Sequence, residues 1–340
     1  MLKNVKMLKI IAIGDVHFKY SNIPEVDLFI PKILELLTQI QPDFIVLMGD
    51  ILDTHERIHT IPLNKAYEFI DSIRNISKVY ILVGNHDMCS NKEFLTDNHW
   101  MNGLKKWQNI VIVDRVIQEV INNFKIIFCP YVSNGRFEEA LNTLNNEWRD
   151  TSIIFAHQEF RGCKMGAINS IDGDIWDITY PEIISGHIHS KQTPQSNIYY
   201  TGSAIQHAFA ESEKNTIPFI TLNNVQDKYN LEEIDLHLPR KYIIYMNVDD
   251  LYDYNYIKTN DKIRITVSGL FEQFKALKKT QKYKELVLNG VKINFNQKKI
   301  ETGIDTLKKD INNFNEILLE LVNLQNDPYI SEVYYLIISK

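Results

Sequence analysis

Cysteine is scarce in this chain: Cys89, Cys129 and Cys163 are the only three among 340 residues. An odd trio so widely spaced builds no disulfide framework and fits a reducing compartment. Long apolar runs are missing too, and no stretch approaches the roughly 20 apolar residues of a membrane span. Lys3, Lys6 and Lys9 precede a short apolar run, Ile10 to Ile13. That run is too short for the apolar core of a signal peptide and reads as a strand. An intracellular, soluble protein without membrane contact is expected, in the cytoplasm or, for a viral protein, in the host cell. Internal repeats and low-complexity linkers are also absent. With 44% hydrophobic and 24% charged residues the chain is neither disordered nor fibrous, and it can bury a large core.

Net positive charge is lacking as well. The formal charge is −6, so the whole molecule is no electrostatic magnet for nucleic acid. The balance is uneven along the chain. From Arg240 onward there are 16 Lys+Arg against 13 Asp+Glu, whereas the residues before it hold 21 against 30. An acidic body with a mildly basic C-terminal region results, and the length suits one large catalytic domain with a smaller appendage.

What is present is a series of strand-like runs, each ending in polar residues. Leu8–Ile13 ends at Gly14-Asp15-Val16-His17, and Phe44–Met48 ends at Gly49-Asp50. Val79–Val83 ends at Gly84-Asn85-His86-Asp87. Helical spacing separates them: Phe29, Ile33, Leu36, Leu37 and Ile40 in one stretch, then Ala66, Phe69, Ile70 and Ile73 in the next. This alternation predicts parallel strands with right-handed crossovers, which brings the polar tips to one sheet edge. Ligands bind at that edge in open α/β sheets. Further on, Ser152–Ala156 ends at His157, and Glu182–Ile184 leads to Ser185-Gly186-His187-Ile188-His189. Two β-like runs between Val111 and Phe128 flank Asn122-Asn123, the signature of a hairpin.

Asp15 and His17, like His187 and His189, lie two positions apart, so at a strand end they can reach one ion or two neighbouring ions. A carboxylate such as Asp50 can bridge two cations about 3.5–4 Å apart. Asp15, His17, Asp50, Asn85, His157, His187 and His189 form a mixed nitrogen and oxygen donor set with no thiolate. That set suits Mn, Fe, Zn or Co more than Ca. Taken singly, Asp-x-His or Gly-Asp after a strand is more often a turn. The order of all five motifs, each behind an apolar strand, is what points to a two-metal site.

These motifs resemble the calcineurin-like metallophosphoesterases. The resemblance implies an α/β fold of four layers, two β-sheets flanked by helices. It assigns Asp15, His17, Asp50 and His189 to one ion, and Asp50, Asn85, His157 and His187 to the other. His86 would stand beside the scissile phosphate, and Asp87 would orient its imidazole. Some relatives keep the fold as scaffolds and lose the metals, but here all seven ligand positions are filled.

Residues outside the ligand set resemble one branch in particular. Gly49-Asp50-Ile51-Leu52-Asp53 lacks the Arg-Gly of the protein phosphatases and is similar to Gly-Asp-Leu-Phe-Asp of the SbcD-type DNA nucleases. Tyr200-Thr-Gly202-Ser203, followed by Phe209-Ala-Glu211, is similar to their Tyr-x-Gly-Ser and Phe-x-Glu. Ala204 replaces the usual proline, and His207 stands where a small polar residue is common. In its compactness the chain is similar to the SbcD-type nucleases of large DNA phages and viruses. This resemblance implies a manganese-dependent DNA exonuclease or endonuclease subunit acting with an SMC-like ATPase in break processing, recombination or replication, and a homodimer. The alternative is a stand-alone phosphoesterase acting on a nucleotide or another small phosphodiester.

The implied layout is a nuclease domain over residues 1–238, a small α+β capping domain over 239–300 and a helical segment over 301–340. In the cap, Lys241–Val248 and Asp261–Val267 read as strands, and about Phe271 to Leu288 as one helix. Lys275, Lys278, Lys279 and Lys282 would then stack along one stripe, suited to the DNA backbone or simply to solvent. Ile304, Leu307, Ile311, Phe314, Leu318, Leu321 and Val322 predict an amphipathic helix that packs on its own domain or docks on the ATPase.

Overall fold

The computed structural model describes residues 7–54, 57–211, 215–223, 228–297, 314–325, 327–330 and 333–334. The first half alternates as expected. Strand β1 (Leu8–Ile13) leads to helix α1 (Ile23–Ile40), β2 (Phe44–Leu47), α2 (Thr60–Arg74), β3 (Lys78–Leu82) and β4 (Ile110–Val113). Helix α1 starts ahead of the apolar stretch from Phe29, with a proline in its first turn, where the fixed φ of proline suits the helix. The hairpin follows as β5 (Ile117–Ile121) and β6 (Phe124–Cys129). Asn122 and Asn123 between them have φ of 52° and 71°. Two left-handed residues make the turn whose twist matches paired strands, and asparagine tolerates that region.

Helix α3 (Phe137–Leu141) and strand β7 (Ile153–His157) come next, then a short exposed hairpin of β8 (Lys164–Met165) and β9 (Ile168–Asn169). Strands β10 (Ile183–Gly186), β11 (Gln192–Gln195), β12 (Ile198–Tyr200), β13 (Ile217–Leu222) and β14 (Asn230–Ile234) complete this part. One six-stranded sheet has the order β14-β13-β1-β2-β3-β4, the other β11-β12-β10-β7-β6-β5. Strands β1 to β4 run parallel, as do β6, β7, β10 and β12. Both sheets therefore send their ligand-bearing ends the same way within each parallel set.

The sheets pack face to face, and strand periodicity sorts the side chains between layers. Leu8, Ile10 and Ala12 of β1 join Phe44, Tyr80, Phe128, Phe155 and Ile184 in the inter-sheet core. Ile11 and Ile13, on the opposite face of β1, pack with Val26, Phe29, Phe69 and Ile70 of α1 and α2. Beyond the second sheet, Ile127, Ile154 and Tyr200 pack with Phe137, Trp148 and Trp176. Helices, sheet, sheet and helix make the four layers. The rings of Tyr80 and Phe128 stack at 4.1 Å, and Phe128 and Phe155 at 5.5 Å.

The C-terminal part contains β15 (Lys241–Asn247), α4 (Val248–Asp253), β16 (Lys262–Gly269), α5 (Phe271–Leu277), α6 (Gln281–Leu288) and β17 (Lys292–Gln297). Its three strands are parallel in the order β15-β16-β17 and share a separate core of Val248, Leu251, Ile265, Val267, Phe274, Leu277 and Leu286. The single helix expected from Phe271 to Leu288 is broken. Thr280 is extended and its hydroxyl caps α6, accepting from Tyr283 N at 3.2 Å, while donating to Leu277 O at 2.7 Å. Threonine favours such a cap over a helix interior. Lys275 therefore lies in the last turn of α5, Lys278 is its C-cap, Lys279 lies in the connection and Lys282 is the second residue of α6, so the four do not share one continuous helix. Helix α7 (Phe314–Gln325) covers the later part of the expected amphipathic helix. The expected part before it, with Ile304, Leu307 and Ile311, lies outside the described residues, as does most of Tyr329 to Ile338. No helix among the described residues is long and apolar enough to cross a membrane.

Candidate metal centre

The strand-end loops are stitched together by their own backbones. His17 N donates to Asp50 O at 3.0 Å and Phe18 N to Ile51 O at 2.7 Å. His17, Asp50 and His187 have φ of 40°, 51° and 76°, in the left-handed region. Such a conformation costs on the order of 1–2 kcal/mol per residue away from glycine and persists where the surroundings over-determine it. Two glycines show how close the approach is. A Cβ on Gly84 would sit 2.2 Å from Asp50 Oδ1, and one on Gly49, at φ 102°, would sit 2.5 Å from His157 Nδ1.

All seven expected ligands come together. His157 Nδ1 donates to Met48 O at 2.7 Å, which turns Nε2 toward Asp50 Oδ2 at 3.3 Å and Asn85 Oδ1 at 3.1 Å. His187 Nδ1 lies 2.8 Å from the same Asn85 oxygen. On the other side His17 Nε2 is 3.5 Å from Asp50 Oδ2 and 3.0 Å from His189 Nε2. Asp15 Oδ1 accepts from His187 N at 3.2 Å, and Asp15 Oδ2 is buried without a hydrogen-bond partner. Two sets of donor atoms, from His17, Asp50 and His86 and from Asp50, His157 and His187, each lie within 4.8 Å of one another. Asp50 is common to both, as a bridge requires.

The donor set is short of positive charge. His17 and His189 point nitrogens at each other, and His157 Nε2 points at two acceptors, so a proton or a cation must lie between them. An orphaned carboxylate oxygen beside them fits a cation. Burial, aided by Asp50, pushes the Asp15 carboxyl up to about 6. Burial would also raise Asp50, but His157 and His17 outweigh it and hold that carboxyl well below the usual range. Burial opposes protonation of His157, yet Asp50 and Asp15 raise it to about 9. Burial and the neighbouring His157 push His187 down to about 3. Opposed shifts within one buried cluster accord with a functional site.

His86 and Asp87 differ in what they do. His86 N donates to Asp50 Oδ1 at 2.8 Å, and its ring is held by Asp53 O, 2.7 Å from Nδ1. Asp87, which the family resemblance places as the orienter of that ring, is itself tied to the neighbouring loops. Its carboxylate accepts from Ile51 N at 3.1 Å, Gly84 N at 3.1 Å and Trp100 Nε1 at 2.9 Å. It thereby locks the loop after β3 to the loop after β2. The bonds to Asp87 use backbone N–H groups from both loops, which no side-chain pattern reveals. Lys275, Lys278, Lys279 and Lys282 belong to the C-terminal part and are not among the groups brought together at the centre. Lys275 reaches Glu272 at 3.1 Å, and Lys278 lies over the Phe295 ring at 5.0 Å.

Two residues of the centre had no role assigned from sequence. Glu211 Oε1 accepts from His189 Nδ1 at 2.9 Å, and His207 Nε2 lies 2.9 Å from Asp15 O. Burial opposes ionisation of Glu211, but His189 and the Ala208 N–H hold it down at about 2. The Phe209-Ala-Glu211 motif carried the signal, without indicating what Glu211 touches.

Residues 8–191 match the calcineurin-like phosphoesterase family. The chain belongs to this family. It is 44% identical over 327 residues to "Putative phosphoesterase 078R" of Invertebrate iridescent virus 3, covering 94% of this chain and 93% of that one. It is 50% identical over 278 residues to "Putative phosphoesterase 244L" of Invertebrate iridescent virus 6, covering 80% and 98%. Among solved structures, a dimetal phosphatase from Danio rerio aligns with 67% of this chain and 99% of its own, at 12% identity and a TM-score of 0.45. Calcineurin-like phosphoesterases use divalent metals, and the clustered ligands here fit them. The protein is a phosphoesterase of this metal-dependent family, with its characteristic pair of sheets flanked by helices.

Proposed function

We propose that the protein is a manganese-dependent DNA phosphodiesterase, working as the nuclease partner of an SMC-like ATPase. The observation that carries this reading is the 200–211 segment. It bears the Tyr-x-Gly-Ser and Phe-x-Glu resemblance, and it touches both the metal ligands and the C-terminal part. Phe209 lies under Arg264 at 4.2 Å, with Lys292 at 5.9 Å. Cations beside the centre suit a polyanion, because phosphate contacts position a strand without reading its sequence.

A pair of bound divalent ions would activate water and stabilise charge on the phosphoryl oxygens. Asp15, His17, Asp50 and His189 would hold one, and Asp50, Asn85, His157 and His187 the other. His86 donates its Nδ1–H to Asp53 O, and to stabilise the phosphoryl group or carry a proton to the leaving oxygen its Nε2 would have to bear the second proton. Residues 239–300 act as the DNA-presenting cap, and residues from Gly303 onward dock on the ATPase. A homodimer belongs to the same reading.

A second reading has its own support. A cavity of about 170 Å³ lined by Phe18, Tyr20, Leu52, Ile58 and His59 follows directly on ligand His17. That volume suits one small ring, as a stand-alone phosphodiesterase acting on a nucleotide would need.

Incubation with Mn²⁺, end-labelled linear duplex and bis-p-nitrophenyl phosphate separates the two. Cleavage of duplex is expected. Turnover of the small ester with DNA untouched, even with the ATPase present, would replace the nuclease reading with the second. Removing residues from Gly303 onward is expected to abolish ATPase capture and spare ester hydrolysis, and persistent capture would rule out the docking role.

A further inference from the structure

One short loop, from Gln206 to Glu211, touches both metal ligands and the first cap strand. At its far end Glu211 Oε1 accepts the Nδ1 proton of His189, while Oε2 accepts from His207 N at 2.6 Å and Ala208 N at 2.9 Å. All the acceptor capacity used by this carboxylate thus links a ligand to the loop backbone. With Nδ1 protonated, His189 Nε2 keeps its lone pair and faces His17. A carboxylate partner on a ligating histidine fixes its tautomer and ring orientation.

At the near end the buried Gln206 side chain pairs with the backbone of Lys241, the first residue of β15. Lys241 N donates to Gln206 Oε1 at 2.7 Å, and Gln206 Nε2 donates to Lys241 O at 3.1 Å and to Glu211 O at 3.3 Å. Lys241 Nζ, itself largely buried, returns to the loop at Gln206 O and, at 3.0 Å, His207 O. Between these ends His207 Nε2 holds the Asp15 carbonyl, and its ring lies 5.0 Å from that of His17 and 5.3 Å from that of His189. The loop cannot shift relative to β15 without disturbing His189.

We infer that Glu211 is a positioning residue for the ion held by His17 and His189, and that the cap sets its position through the Gln206–Lys241 pair. The Asn85, His157 and His187 side of the centre has no such tie in these contacts. Cap seating therefore controls one metal site and leaves the other preformed. The inference rests on the two-metal reading of the centre and is independent of the substrate.

The test is an equilibrium Mn²⁺ titration of the full chain, with free ion measured by electron paramagnetic resonance. Wild-type protein is expected to bind two ions. Glu211→Ala is expected to weaken one site by about 10–100-fold and leave the other unchanged. Gln206→Ala, which touches no ligand, is expected to weaken the same site by a smaller factor. Should Glu211→Ala fail to fold, the isosteric Glu211→Gln carries the same expectation, since its amide has one acceptor oxygen and cannot accept from both the backbone N–H pair and His189 Nδ1. Equal weakening of both sites, or none, in the Glu211 variant would overturn the positioning role. An unaffected isotherm for Gln206→Ala would overturn control by the cap. Absence of metal binding by the wild type would instead refute the two-metal reading.

Discussion

At His86, the ring donates Nδ1–H to the Asp53 carbonyl, while the residue's own backbone N–H donates to Asp50. His86→Ala is expected to retain two metal ions and lose about 10²–10⁴-fold in kcat, measured with bis-p-nitrophenyl phosphate. Full retained activity would mean that its role is misassigned, and loss of one ion would make it a ligand. Asp87 contributes differently, accepting from the N–H groups of Ile51, Leu52 and Gly84 and from Trp100 Nε1. Asp87→Ala leaves those donors buried and unpaired, so it is expected to lower stability by about 1–3 kcal/mol in a urea titration and to depress activity with it. Gly84→Ala puts a methyl group onto the Asp50 carboxylate and 2.5 Å from its backbone nitrogen, and is expected to abolish metal binding and lower the thermal unfolding midpoint.

At the scale of elements, the turn and the breaks matter most. Replacing Asn122 and Asn123 together with alanine is expected to cost about 1–2 kcal/mol per left-handed residue, read from denaturant unfolding. Another local feature gives a pH signature. Burial pushes Asp114 up, but bonds from His99, Lys105 and Arg115 outweigh it and hold the carboxyl well below the usual range. A depressed pKa in the folded state contributes stability above the unfolded-state value of about 3.9, and that contribution is lost as pH falls through the folded value. Asp114→Asn should therefore be less stable than wild type at pH 7, and the gap should narrow as the pH is lowered below about 4.

The strands and their ligand tips were legible because buried parallel strands read as apolar runs, and the Asn-Asn turn declares itself by its residues. The Thr280 break was not. Apolar positions continue at helical spacing through it, and only the competing hydroxyl cap ends α5. The Asp87 bonds and the Glu211–His189 contact were hidden for a related reason. They join segments far apart in the chain, which spacing along one element does not encode.

At the scale of the whole molecule, two sheets bring ligands from separate crossovers to one centre, and a smaller parallel sheet is tied beside it. The acidic body holds most of the carboxylates, and the chain from Arg240 onward carries the excess of lysine and arginine. This division suits a metal centre that needs cations. The central claim, a two-ion phosphoesterase, is tested most directly by titrating metal-free protein with Mn²⁺ while following hydrolysis of bis-p-nitrophenyl phosphate. The account predicts that activity climbs until two equivalents per chain are bound and then levels off. Full activity at one equivalent, or activity without added metal in the presence of chelator, would contradict it.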